Sequence, residues 1–414
     1  MKDRGNQEYI KRFNRINVLN LIRENLTISR QELAETTGLT LAGISGIVRE
    51  LVEAGYIREF GQGPSSGGRR PITLAFNPEN GYVLGAEITS QYSTIGIVDL
   101  QLKPVVVRRV KIGMTEPLDG LKQLIAAMEN LAAVSNIPGE KILGSGFAIP
   151  GLIERESQII KRSPNLGEGW RELPLGKWLG SVLKRPFTLE NNSNAAALAE
   201  YTLGAGKGIK DLAYVNLGEG FSTGVILGGE VVYGSRGYAG EMGHTVIVEN
   251  GPLCNCGNRG CLESLYAVPA LEHRANMELG LYDPDDPLKS IWLEKGEVNI
   301  EDILAAVTIP GSYARDLIRQ AGWSIGLGIA GIVNFYNPEI IVLGGVLASA
   351  GETLLEPLKS SVRTHAFPEV VQGTSIVTSA IGRDAAFYGA CLGIVRRLFT
   401  PEYADNILQR TEGL

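Results

Sequence analysis

The sequence predicts an α/β body of two similar lobes with a cleft between them, carrying a winged helix-turn-helix at its N-terminal end. Three observations predict this. Two helical stretches flank Gly38 and are followed by two strand-like runs, the pattern of a helix-turn-helix with a wing. Beyond residue 78, a run of strands followed by helix and strand occurs twice, with little sequence identity between the copies. The second copy holds a loop in which one histidine and three cysteines fall close together. The expected domains are residues 1–78 (winged helix-turn-helix), 79–200 (first lobe) and 201–382 (second lobe). A helix at about 383–414 is expected to pack back on the first lobe.

Bulk properties set the class. Hydrophobic content of 44% and charged content of 20% over 414 residues are those of a soluble globular protein of two or three domains. The polar start, MKDRGNQEYIKRF, is no secretory signal, and the most apolar later run, residues 325–333, is short and glycine-broken. A cytoplasmic protein with reduced cysteines and no membrane association is expected. Residues 1–78 carry 11 Lys+Arg against 8 Asp+Glu, a net of +3, so the rest holds −9 of the overall −6. A basic end on an acidic body points to nucleic acid at that end.

Residues 9–24 place Phe13, Ile16, Val18, Leu19, Leu21 and Ile22 on a helical stripe. Ser29 and Glu32 form a capping box that opens a second helix. Gly38 supplies the left-handed residue that ends it, and Thr40 caps a third helix, residues 41–54, with Ile44, Ile47, Val48 and Leu51 inward. Residues 56–60 and 71–76 then read as strands of a hairpin whose tip ends in Arg69 and Arg70. Such a third helix enters a DNA groove. Its outward residues are mostly small, so close backbone approach is expected, with Thr40, Ser45 and Arg49 reading or positioning DNA and Arg69 and Arg70 adding wing contacts.

In the body, residues 82–87, 93–99 and 104–111 read as consecutive strands, 118–135 as a helix and 142–149 as a strand. Residues 212–217, 222–227 and 230–233 repeat the strand run, before a long helix at 313–334 and a strand at 340–343. Between them lies GYAGEMGHTVIVENGPLCNCGNRGCLES. His244, Cys254, Cys256 and Cys261 make a tetrahedral set of soft ligands suited to a structural Zn2+ with no open position. Asn255, Gly257, Asn258 and Gly260 suit the tight loop this needs. Such a metal pins Glu241 and Glu263 close together, where carboxylates can meet sugar hydroxyls.

The motifs GYAGEMGH, CNCGNRGC, SPNLGEGW, ENNSNAAALAE and VLGGV resemble those of the ROK family (repressors, open reading frames and sugar kinases). The likeness spans nearly the whole chain and points to the repressor branch, and the SSGGRRP wing is similar to that of xylose repressors. The resemblance implies an actin-like, ribonuclease H-like two-lobe fold with sugar in the cleft. It also implies Asn165, Asn191, Asn192, Glu241, His244 and Glu263 as sugar-binding residues. Three departures speak against phosphoryl transfer. The stretch matching the family's DxGGTK loop is Glu87-Ile88-Thr89-Ser90-Gln91-Tyr92, without its glycines or lysine. The second phosphate loop carries Glu219, a negative charge where phosphates would sit. The position of the kinases' catalytic Asp is Asn192, and an amide cannot take a proton at neutral pH.

The expected function is a sugar-responsive repressor of carbohydrate-utilisation genes, a homodimer or tetramer, released from operator DNA by a monosaccharide such as xylose. The alternatives are a sugar kinase with an appended DNA-binding domain, and a DNA-binding protein whose body serves only for assembly. Gly344-Gly345 is expected to be a structural turn, and Trp170 a core residue or a sugar platform.

Overall fold

The computed structural model describes residues 2–62, 72–283 and 285–403. Arg69 and Arg70 lie outside the described residues. The N-terminal unit holds helices α1 (Lys2–Glu24), α2 (Arg30–Thr37) and α3 (Leu41–Glu53) and a sheet of order β1-β3-β2, from β1 (Ile28–Ser29), β2 (Ile57–Gln62) and β3 (Ile72–Phe76). The Ser29–Glu32 capping box forms in both directions, Gly38 adopts φ 72°, and the Thr40 hydroxyl accepts the Gly43 N–H. β1 escaped the sequence reading because two residues are too few to alternate. Phe13, expected on the inward stripe of α1, is 48% exposed; burial of that helix begins at Ile16. Ile44, Val48 and Leu51 of α3 are buried, and Ile47 is partly so.

The body is two five-stranded sheets. The first lobe contains β4 (Tyr82–Ile88), β5 (Ser93–Asp99), β6 (Pro104–Val110), α4 (Pro117–Val134), β7 (Ile142–Ile149), the hairpin β8 (Leu152–Glu154) and β9 (Ile159–Arg162), α5 (Leu175–Val182) and β10 (Phe187–Asn191). α6 (Asn192–Leu203) leads to the second lobe. That lobe has β11 (Leu212–Leu217), β12 (Phe221–Leu227), β13 (Glu230–Val231), α7 (Leu262–Tyr266), α8 (Val268–Glu278), α9 (Pro287–Lys295), α10 (Ile300–Ala306) and α11 (Tyr313–Tyr336). β14 (Ile340–Gly344), α12 (Glu352–His365), α13 (Pro368–Val371), β15 (Ser375–Thr378) and α14 (Ala385–Leu398) complete the helices and strands of the described residues.

The sheet orders are β6-β5-β4-β7-β10 and β13-β12-β11-β14-β15. In each, the first three strands are antiparallel neighbours and the last two join in parallel, so the lobes are topological copies. β5 and β7 are buried along their whole length, as strands covered on both faces must be.

α6 and α14 cross between the sheets. A Cβ at Gly389 of α14 would run into the Ala195 carbonyl of α6, and one at Gly146 of β7 into the Ala390 carbonyl of α14. The expected lobe boundary at residue 200 therefore divides α6, a helix packed against both lobes. Past α14, Phe399 reaches the N-terminal unit. Its carbonyl accepts Asn20 Nδ2 (3.1 Å), its ring meets Phe76 edge-on at 5.9 Å, and Arg23 stacks over it at 4.3 Å. Asn77 and Asn80 donate to the carbonyls of Gly55 and Ala54 at the end of α3. Trp170 is fully buried and donates to the Met114 carbonyl, so it is no sugar platform. Among the described residues no helix is long and apolar enough to cross a membrane.

Candidate functional site

The metal-ligand set comes from one stretch of the second lobe. His244 ends a short 3-10 turn (Met242–His244), Cys254 and Cys256 sit on a loop held by a Leu253–Arg259 bridge, and Cys261 immediately precedes α7. Their four ligand atoms lie within 4.8 Å of one another. Cys254 Sγ is 3.6 Å from His244 Nδ1, and Cys256 Sγ is 3.7 Å from Cys261 Sγ. A tetrahedron with metal–sulfur bonds of about 2.3 Å has edges of about 3.8 Å, so the spacing is that of ligands around one ion. Burial, then the neighbouring Cys256 and Cys254 thiols, push the Cys261 thiol up to about 12. Thiols crowded in this way ionise when a cation shares the site. The cluster can hold a metal ion. The Arg162 guanidinium, at the end of β9, donates to the carbonyls of Asn255 and Cys256 and so ties this loop to the first lobe.

The cleft between the lobes brings together Asn165, Asn191, Asn192, Glu241, His244 and Glu263. His244 turns Nε2 toward Glu241 Oε2 at 3.6 Å, which leaves Nδ1 on the metal side. Burial, helped by the neighbouring Glu263, raises Glu241 to about 7. Glu263 is 8% exposed and its Oε2 accepts the Phe221 N–H at 2.9 Å. Asn192, first residue of α6, donates Nδ2 to the Ile88 carbonyl at 3.0 Å, while its Oδ1 is buried without a partner among the described residues. That orphan acceptor is what a ligand hydroxyl would satisfy. Asn191 lines the cleft and at the same time serves the fold. Its Oδ1 caps α6 by accepting the N–H groups of Ser193 and Asn194, and its Nδ2 donates to the Gly151 carbonyl. Most of its hydrogen-bonding capacity is spent on structure.

The far half of the same cleft is acidic. Glu87 is partly buried at the cleft wall, and desolvation first, then Asp384, raises it to about 8 despite Arg109. Glu219 Oε2 accepts the Ser90 hydroxyl at 2.6 Å and the Ser90 N–H at 3.3 Å, across the cleft. No local signal in the sequence announces that pair. The turn at Gly345 (φ 83°) lies against the Leu217 backbone and also lines the cleft, as does Tyr214, whose hydroxyl faces Gly344. On the N-terminal unit, Ser45 and Arg49 of α3 and its N-cap Thr40 are exposed, with Arg49 4.0 Å from Glu53.

Comparison with known proteins extends this geometry. Residues 83–396 match the ROK family and residues 14–58 match a winged helix-turn-helix DNA-binding family. A xylose repressor of Bacillus spizizenii is 29% identical over 94% of this chain and 96% of its own. The solved structure of a ROK family transcriptional regulator, homologous to the E. coli MLC protein, covers 97% of this chain and all of its own, at TM-score 0.81 and 28% identity. A ROK family glucokinase from Streptomyces griseus, solved with glucose and AMPPNP, covers 77% of this chain and all of its own, at TM-score 0.68 and 25% identity.

Proposed function

The chain belongs to the ROK family, and on that premise we propose that it is a sugar-responsive transcriptional repressor of carbohydrate-utilisation genes. The observation that carries the reading is the cleft's composition, joined to a DNA-binding unit. Groups suited to a sugar remain, but the position of the base is Asn192, whose amide cannot accept a hydroxyl proton. The cleft of a kinase thus becomes a binding site. The similarity to a xylose repressor makes a neutral monosaccharide, xylose first, the candidate effector.

In this reading Asn192, Asn165, Glu241, His244 and Glu263 hold the sugar, and Asn191 keeps α6 in place. The metal is zinc, held by His244, Cys254, Cys256 and Cys261, and it supplies rigidity and charge balance to the thiolates. Two copies place their α3 helices about one DNA turn apart, with Thr40, Ser45, Arg49 and the wing arginines Arg69 and Arg70 toward DNA. Sugar draws the lobes together. The movement passes from the start of α6, through its crossing with α14, to Phe399 and α1, and it spoils the spacing of the two α3 helices.

The test is a gel shift on DNA upstream of the protein's own gene, titrated with a monosaccharide panel with and without ATP. Release by one sugar without ATP is the expected result. Sugar phosphorylation without DNA binding would contradict the reading.

A further inference from the structure

The turn at Glu219, which the family resemblance matches to a phosphate loop, is bonded across the cleft to the opposite lobe. Glu219 stands in the turn between β11 and β12 of the second lobe, and Ser90 in the turn between β4 and β5 of the first. The Glu219 carboxylate takes both the N–H and the hydroxyl of Ser90. A backbone N–H beside a hydroxyl in a tight turn is the donor pair that receives a phosphate oxygen. From this geometry we infer that Glu219 is an internal anion occupying a phosphate position, and that it restricts the cleft to uncharged sugars, excluding sugar phosphates and nucleotides. The inference rests on the sugar-binding reading above.

The loop's position makes Glu219 a specificity determinant as well as a latch. A side chain at Gly220, the next residue, would collide with Asn165 Nδ2 and Glu263 Oε2, so the loop lies directly on the sugar-facing groups. Phe221 then donates its N–H to Glu263. From the other lobe, Asn192 is bonded to the Ile88 carbonyl, two residues before Ser90. A substituent that leaves a bound sugar beyond Asn192 therefore runs toward the Ser90–Glu219 pair. A phosphate there finds the donors already used and a carboxylate on them. Arg109, the neighbouring cation, is engaged with Asp384 at 3.2 Å and stacked on Tyr92. Arg383 also lines this half and offsets part of the negative charge, but the donors of Ser90 are taken. An uncharged hydroxyl at the same place can donate to the Glu219 carboxylate without charge repulsion.

The experiment is calorimetric titration of the full-length, metal-loaded protein with xylose, glucose and N-acetylglucosamine, with the phosphate monoester of each, and with AMPPNP. The wild-type protein is expected to bind one free sugar at least a hundredfold tighter than its phosphate ester and to show no AMPPNP binding. E219Q, which keeps the size and removes the charge, is expected to narrow that ratio tenfold or more. An ester that binds the wild-type protein as tightly as the free sugar overturns the inference and leaves the sugar-responsive reading standing. So does a ratio unchanged in a folded E219Q. Binding of neither sugar nor ester overturns both.

Discussion

In the proposed reading Asn192 separates a binder from an enzyme by one functional group, and restoring that group alone is not expected to restore turnover. Its buried Oδ1 has no partner among the described residues, so Asn192→Ala is expected to weaken sugar binding tenfold or more in a direct titration. Asn192→Asp returns a carboxylate, yet Glu219 still sits on Ser90, and a coupled ATP assay is expected to read no turnover. Glu87 gives a pH signature. Its carboxyl is held at about 8 in the folded protein, above the ordinary value of 4.5. Between those values the folded chain keeps a proton that the unfolded chain releases, so this residue's contribution to stability is full at acid pH. It is lost as pH rises through that window, at up to about 1.4 kcal/mol per pH unit, and levels off above 8. Glu87→Gln is expected to flatten the fall in a melting series from pH 5 to 9. Asn192 was legible because a side chain's chemistry is written in its identity. The Ser90–Glu219 pair was not, since its partners are 129 residues apart.

Among elements, the metal loop was the most legible, because all four ligands and the glycines that bend the chain lie in one stretch. Removing the metal with a strong chelator is expected to expose three titratable thiols, lower the melting temperature and weaken sugar binding tenfold or more. Loss of affinity follows because His244 and the Arg162 contacts hang on that loop. Calorimetry and a thiol reagent read both effects. The capping box and the Gly38 turn were also legible, being local hydrogen-bond chemistry. The hairpin β8–β9 and the joint at Phe399 were not. Phe399 meets Asn20 over 379 residues of sequence, and nothing in the short run after α14 marks that contact. Phe399→Ala removes a buried ring, at a cost of about 3 kcal/mol. Both binding sites are expected to survive in that variant, while sugar no longer releases DNA in a gel shift.

Taken whole, the molecule is a duplicated hinge with a reading head. The repeat of strand order was visible as a repeated pattern of runs, since β-strand periodicity and turn residues are local. The boundary expected at residue 200 falls inside α6, which joins the two sheets, and a connecting helix carries no break in composition. In the proposed mechanism that shared helix carries the effect of a ligand in the cleft to the N-terminal unit. If one closure links the two sites, operator DNA must weaken sugar binding by the same factor as sugar weakens DNA binding. Couplings of this kind run to roughly 5–150-fold. The decisive measurement is therefore the affinity of the releasing sugar for the protein alone and for the protein saturated with operator DNA. A lower affinity on DNA, by the factor that the sugar takes from DNA affinity, is the predicted result. Equal affinities in the two states would contradict the account.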